Sequence, residues 1–484
     1  MKTIFKYILS VALGASILTS CDLDTIPTTS VDAGSVFGKT GDAEKVLNGG
    51  WNYLMETFNS YANPGYGAML RANDAMGSDV VLNDKYGFRS HNQFNAIYGK
   101  GGTNTLSWLL CYRVINDCNG VLDNIDNAEG TQNDRDRIKG QALALRGFLY
   151  LHLASCYSFA IDKDPNAVCA PIYTKSTDEV SAAEGMPASS VSEVYAQSIS
   201  DLEKALDLIP ETYIRNSKHK IDNQVVLGLL SRACLYARQW EKAKNYSDQL
   251  LAKNNYLMSE SEYKEGFSNA ENKEWIWGHP QTNDQNNASY QFYYLDTTTP
   301  GSYYYSFNVD PYFRDLFEDG DYRKEMIYWA TDPGADVESA AYVWMRNAKF
   351  KFRDIQNTVA DIVLMRVAEI YLINAEAKAR LNDPDAVNKL NELKAARGAQ
   401  AISTSLTGED LLEAIWLERR KELWGEGFSL IDIIRNQKSV VRKEYPDDKI
   451  DYTYTDSEGK EHTVKKTPQG HRYFNFPEHD RSEE

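Results

Sequence analysis

The chain has 484 residues, 42% apolar and 25% charged, with 31 Tyr and a formal net charge of −17. This is the balance of an ordinary globular protein; it excludes collagen-like, disordered and multi-spanning membrane classes. An acidic chain attracts neither phosphate backbones nor anionic bilayer surfaces, so nucleic acid is not an expected partner.

Lys2 and Lys6 flank the start of a short apolar run, Ile8 to Leu18. That run is shorter than the about 20 residues that span a bilayer, so residues 1–20 read as a signal peptide. It ends on Leu18-Thr19-Ser20-Cys21, which resembles a bacterial lipobox. Such a signal implies cleavage before Cys21, a diacylglycerol on its sulfur and usually a third chain on the new amino group. Each buried methylene contributes roughly 0.8 kcal/mol, so two or more chains anchor stably. The competing reading is a plain secretory signal with an incidental Cys. Residues 21–34 have few large apolar side chains and read as a tether before a body spanning 35–484.

Helix patterns dominate that body. Leu145, Leu149, Leu153 and Tyr157 recur every fourth residue and predict a helix over 138–159. Further helices are expected over 192–208, 225–237, 241–253, 361–381 and 386–397. Arg238-Gln239-Trp240 forms a turn between two of them, while Asp383 and Pro384 suit the start of the last and Gly398 its end. Trp240-x-x-Ala243-x-x-Tyr246 resembles the second half of a tetratricopeptide repeat, with small residues for close helix approach and aromatics to fill the gaps. The spacing between units is irregular. The expected fold is therefore mostly α: an irregular helical-hairpin scaffold with minor β. Regions of about 62–105 and 255–360, rich in Tyr, Asn, Gly and Asp, read as long loop-rich insertions lying over it.

Five cysteines come after Cys21, namely Cys111, Cys118, Cys156, Cys169 and Cys234. Their odd number forbids complete pairing, and no CxxC spacing points to zinc or thiol-redox chemistry. Cys111 and Cys118 would stand about 10 Å apart along one helix, too far for a disulfide. Small buried hydrophobes are the expected role of most of them.

Several blocks resemble the SusD/RagB family of outer-membrane lipoproteins. The strongest is Ile415-x-x-Glu418-Arg419-Arg420-x-Glu422-Leu423-x-x-Glu426-Gly427, continuing to Asp432-x-x-Arg435. Others are Leu364-Met365-Arg366-Val367-Ala368-Glu369, Leu390-Asn391-Glu392-Leu393, Trp108-x-x-x-Tyr112-x-x-Ile115-x-x-Cys118-Asn119 and Leu145-Arg146-Gly147-Phe148. The resemblance covers essentially the whole chain in family order; only the end departs, where Phe476, Pro477 and Glu478 are all that matches the usual closing phrase. It implies a non-catalytic, lipid-anchored protein on the outer-membrane surface. There it would bind oligosaccharide or polysaccharide and deliver it to a SusC-like TonB-dependent barrel. The lipid anchor would be its only membrane attachment. Some members of the family capture peptides or other nutrients instead, and a lipid-anchored glycoside hydrolase is the remote alternative. The charged block is expected to be structural: Glu418, Arg419, Arg420, Glu422, Glu426, Asp432 and Arg435 form an ion-pair network that locks the last helices to the scaffold.

A sugar-binding face needs aromatic rings to stack on pyranose C–H faces, and amides, carboxylates or guanidinium groups for the hydroxyls. Residues 290–313 hold ten aromatics in 24 positions, next to Gln285, Asn286 and Asn287. Tyr290 and Tyr303 are the candidates there. Trp275 and Trp277 lie on an expected strand, Glu274-Trp275-Ile276-Trp277; one of the two is expected to face the core, and Trp277 is the candidate for ligand contact. Asn83, Asp84, Tyr86 and Arg89 come from the first insertion. Packing of loops on the scaffold is the competing role for each of these residues.

Enzyme signatures are missing. Gly38-Lys39-Thr40 would end a phosphate loop, but Ala33 stands where the loop needs Gly. There is no HExxH and no GxSxG, and the seven His show no helical ligand spacing, so no metal and no cofactor are expected.

Overall fold

The computed structural model describes residues 36–60, 63–82, 87–98, 102–299, 302, 306–331, 343–442, 453–455 and 461–463. Most of these lie in helices, with only short strands between them.

The scaffold is a succession of packed helices: α1 (Thr40–Glu56), α2 (Gly65–Ala75), α3 (Gly102–Asn124), α4 (Gln132–Cys156), α5 (Val191–Leu208), α6 (Asn223–Tyr236) and α7 (Trp240–Lys253). It resumes with α8 (Val367–Arg380), α9 (Asp385–Ala396), α10 (Gly408–Glu422) and α11 (Ser429–Arg435). Neighbours in sequence pack as hairpins: α3 on α4, α4 on α5, α6 on α7, and α8 on α9, with α7 also lying on α8. Small residues bring α4 and α5 together, since a Cβ at Gly147 would come within 3.0 Å of both Leu202 and the Ser198 carbonyl.

Caps set the starts. Thr131 accepts from the backbone of Asp134 at 3.1 Å and begins α4 six residues before the apolar stripe does. Residues 132–137 are polar, so periodicity alone could not reach them. Ser190 and Glu193 form a reciprocal capping box at the head of α5. The α6–α7 turn is made by Arg238 at φ +60. Asp383, two residues before α9, accepts from the amide of Asp385 at 3.0 Å, and Pro384 occupies the cap position itself.

Two stretches differ from their sequence reading. Residues 362–366 are not the start of a helix but a strand, Ile362–Arg366, antiparallel to Trp275–His279. A short apolar run has no period by which a buried strand can be told from a buried helix. Residues 65–75, within the region read as loop, form α2, and every one of them is buried. Arg71, Asn73 and Asp74 lie inside, so α2 has no polar face and no amphipathic signature. Their partners come from the far end of the chain. Arg71 Nη1 donates to the Gly425 carbonyl at 2.5 Å, and Asp74 accepts from the Gly427 amide at 2.8 Å.

The insertions carry two more strand pairs. Val80–Leu82 pairs with Phe307–Val309, and Ile327–Thr331 with Val343–Asn347, both antiparallel. Much of the aromatic run is core: Phe292, Tyr293, Tyr294, Phe307 and Phe313 are buried. The five cysteines among the described residues are unpaired thiols, four of them buried and Cys156 half-buried.

Candidate carbohydrate-binding face

Helix α1 ends at Glu56, and this carboxylate gathers three donors from a distant stretch of the chain. It accepts from His279 Nε2 at 2.5 Å, from Gln281 Nε2 at 2.7 Å and from the Ala288 amide at 3.0 Å. Burial pushes its pKa up, but His279, Gln281 and Ala288 outweigh that and hold it below the usual glutamate value. Asn287 Nδ2 donates to the Glu56 carbonyl at 3.3 Å. Together these bonds clamp the turn at Asn287–Gln291 beside the chain leaving α1.

The clamp brings Phe58 and Tyr290 together. Their rings meet edge-on at 5.5 Å and 82°, and Tyr290 meets Tyr293 at 5.3 Å and 63°. Phe58 is 38% exposed, Tyr290 is half-buried, and Tyr293 beneath is buried. Thr282, Asn283, Asp284, Gln285 and Asn287 are exposed on the adjoining segment. The result is an aromatic ledge bordered by amides and a carboxylate. Such a surface can stack on a sugar ring and bond its hydroxyls.

Of the residues singled out from sequence, Tyr290 lies on this ledge. Arg89 is exposed on a short helix, Arg89–Asn92, that packs on α2, as does the Asn287–Gln291 turn. Asn83, Asp84, Tyr86, Tyr303 and Cys21 lie outside the described residues. Phe58 was not singled out, since one aromatic after a helix end carries no sequence signal of exposure.

Trp277 requires a correction. It is fully buried, as is Trp275, so neither offers a face to a ligand. Trp277 packs edge-on against Phe148 at 4.9 Å and tilted on Trp51 at 5.1 Å, and its Nε1 donates to the His219 carbonyl at 3.0 Å. The register shifts between Trp275 and Trp277, and both faces of the strand are covered. Residues two apart on a strand share a face, so alternation gives no ground for setting Trp277 apart from Trp275, and here neither face is open.

The charged block is buried except for the half-buried Arg420, and most of its partners come from elsewhere in the chain. Glu422 receives Arg366 at 2.5 Å, Arg323 at 2.7 Å and Arg397 at 2.9 Å. Glu426 receives Lys349 at 2.6 Å and Arg366 at 2.7 Å, and Glu418 receives Arg323 at 2.6 Å. Arg420 pairs with Asp79 at 2.5 Å. Only Arg419, Asp432 and Arg435 pair within the block, at 2.9 and 2.6 Å, and Arg435 also holds Glu376 on α8 at 2.6 Å. Burial pushes the Glu422 carboxyl up, but Arg397, Arg366 and Arg323 more than offset this and hold it well below the carboxylate range. Gly427 sits at φ +92, where a Cβ would run into Leu70 of α2. Only glycine permits that turn at that approach. Among the described residues no group of three or more His, Cys, Asp or Glu is placed to hold a metal ion, and no helix is long and apolar enough to cross a membrane.

Comparison with known proteins agrees along the chain. A family model described as starch-binding associating with outer membrane matches residues 40–235, and one described as SusD family matches residues 340–478. A crystal structure of a SusD-like carbohydrate binding protein from Bacteroides vulgatus is 83% identical, covers 91% of this chain and 92% of its own, and superposes with a TM-score of 0.87. The SusD-like protein P38 of Formosa agariphila is 24% identical across 90% of this chain and 91% of its own. A laminarin binding SusD-like protein is 19% identical, covers 83% of this chain and 92% of its own, and has a TM-score of 0.65. At that identity the likeness shows the fold alone.

Proposed function

The chain belongs to the SusD family, and from that premise we propose that it captures oligosaccharide or polysaccharide at the outer surface of the outer membrane without catalysing a reaction on it. The observation that carries this reading is the pairing of exposed Phe58 with half-buried Tyr290 among amides. Rings of this kind select the flat apolar face of a pyranose, and the bordering side chains select its hydroxyl pattern. The name of the 83% identical Bacteroides vulgatus protein, a carbohydrate binding protein, supports the same ligand class. Asn83, Asp84, Tyr86, Arg89 and Tyr303 are proposed to complete the face.

A lipidated Cys21 is proposed to hold the protein at the membrane, and a SusC-like TonB-dependent barrel to receive the glycan. Affinity belongs in the micromolar to millimolar range, roughly −8 to −4 kcal/mol, strong enough to capture and weak enough to hand over.

Electrophoresis of the mature protein through gels containing host mucin, plant and microbial polysaccharides tests the binding. One polysaccharide should retard it, and Tyr290→Ala or Phe58→Ala should weaken that retention about fivefold to thirtyfold, the effect of about 1 to 2 kcal/mol of lost ring contact. Equal retention of both variants and the parent would move the site away from the ledge. No retention in any gel would shift the ligand to peptide or another nutrient. Cys21→Ala should release the protein from membranes; a processed variant that stayed bound would refute the anchor.

A further inference from the structure

The helical scaffold carries a second aromatic hollow, with no residue in common with the Phe58–Tyr290 ledge. It opens between α3 and the segment 171–177 and encloses ≈ 230 Å³. Trp108 and Tyr112 form one wall, with rings 4.8 Å apart and tilted by 46°. Tyr173 stands across from Tyr112 at 5.9 Å and 85°. Asn116 and Thr177 also line it, and no charged side chain does.

The walls are held from behind. Tyr112 donates its hydroxyl to the Pro171 carbonyl at 2.8 Å. Asn119, fully buried, donates to the carbonyls of Tyr173 and Lys175 at 3.1 and 2.9 Å. Its Oδ1 accepts from Arg146 at 2.7 Å, and Arg146 is itself fixed by the buried Asp201 at 2.7 Å. Asn116 Oδ1 accepts from both the amide and the hydroxyl of Thr177, at 2.8 and 3.1 Å. This uses up the acceptor side of the Asn116 amide. Its Nδ2 and the indole N–H of Trp108 have no acceptor among the described residues.

We propose that this hollow is a second carbohydrate subsite that takes one neutral pyranose unit, a chain end or a branch. The ligand class rests on the carbohydrate reading above; the site does not. The space is smaller than the about 300 to 1,000 Å³ that encloses a drug-sized ligand, and it suits a single ring. Crossed aromatic faces supply stacking, and two fixed donors without acceptors meet ring hydroxyls. With no cation in the lining, a uronic acid gains no partner for its carboxylate and is excluded.

The test uses the mature protein labelled with 5-fluorotryptophan and read by fluorine magnetic resonance. The Trp108 signal is assigned by its loss in Trp108→Phe. The probes are the methyl glycosides of glucose, galactose and mannose, N-acetylglucosamine, L-fucose and glucuronic acid, each to about 100 mM, which reaches dissociation constants well above the millimolar. At least one neutral sugar should move the Trp108 signal saturably, and glucuronic acid should not. Asn116→Asp keeps the two bonds from Thr177 but replaces the Nδ2 donor, and should raise the midpoint about fivefold. The shift should persist in Tyr290→Ala, which separates this site from the ledge. Protection of Trp108 and Tyr112 from hydroxyl radicals by the same sugars, read by mass spectrometry, needs no substitution and gives the same answer should Trp108→Phe fail to fold. A Trp108 signal unmoved by every neutral sugar, with no protection, overturns the subsite and leaves the ledge reading intact. A Trp108 response alongside a ledge variant that still binds polysaccharide normally would retain the subsite and refute the ledge.

Discussion

Replacing Glu422 by Gln probes the charged block where its cations converge. Three guanidinium groups, from Arg366, Arg397 and Arg323, close on this one buried carboxylate within 2.9 Å. Glutamine keeps the shape and removes the charge. Arg366 and Arg397 would still share Glu274, at 2.8 and 3.1 Å, and Arg323 would keep Asp321 at 2.7 Å. Uncompensated positive charge would nevertheless be left in a dry interior, and breaking such a pair costs about 3 to 5 kcal/mol. With an unfolding entropy of about 2 cal/mol/K per residue over roughly 400 residues, a loss of about 4 kcal/mol lowers the melting midpoint by about 5 °C. Differential scanning calorimetry at neutral pH measures this. Glu413→Gln, which breaks an exposed pair with Lys438, is the control and should not move the midpoint. The sign with pH is also set. The folded Glu422 pKa lies well below the ordinary 4.5, so its contribution is complete above that value and is lost as pH falls through the folded pKa. The gap between parent and variant should therefore narrow in acid. An unchanged midpoint at neutral pH, or a gap that widens in acid, would overturn this account of the block.

Trp277→Ala should destabilise the fold by about 3 to 5 kcal/mol, as removal of a buried indole does, and calorimetry should show this with or without glycan; loss of binding in a variant with an unaltered melt would return Trp277 to the ligand face. Asp310 is pushed up from 3.8 to about 7, by burial first and by Asp79 beside it. Its unfolded form loses its proton first, so stability from this group falls as pH rises from about 4 to about 7. Asp310→Asn should flatten that fall and raise the midpoint at pH of about 8; a steeper fall in the variant would contradict the assignment.

The helices of the scaffold were legible in two ways: α5 and α7 each bury one stripe, whereas α4, α6 and α8 are buried nearly all round and show as long runs of apolar and small residues. Leu145, Leu149 and Leu153 show α4 as plainly as Ile199, Leu202 and Ala205 show α5. Ser190 with Glu193 adds a start signal of local origin. Helix α2 was not legible because Arg71, Asn73 and Asp74 interrupt its apolar residues, although every one of its positions is buried. Its Arg71 and Asp74 are tolerated inside only because Gly425 and Gly427, some 350 residues away in sequence, supply the carbonyl and the amide that satisfy them. The ledge was half legible. Tyr290 stood out in a dense aromatic run, whereas its neighbour Phe58 comes from another element, joined to it through Glu56.

Composition, periodicity and local motifs were enough for a mostly helical hairpin scaffold, a lipobox-like leader and the SusD/RagB resemblance, since each depends on residues close together in the chain. Which aromatics face solvent and which cations meet the acidic block was settled in three dimensions. Alternation puts Trp275 and Trp277, two residues apart, on one face of a strand but does not say what covers it; Trp277 lies under Trp51 and Phe148, and both indoles are buried. Likewise, Glu422 acquires its three arginines only when the chain brings 323, 366 and 397 to one point. Burial and charge pairing are properties of what covers a residue, and that is written in distant parts of the sequence.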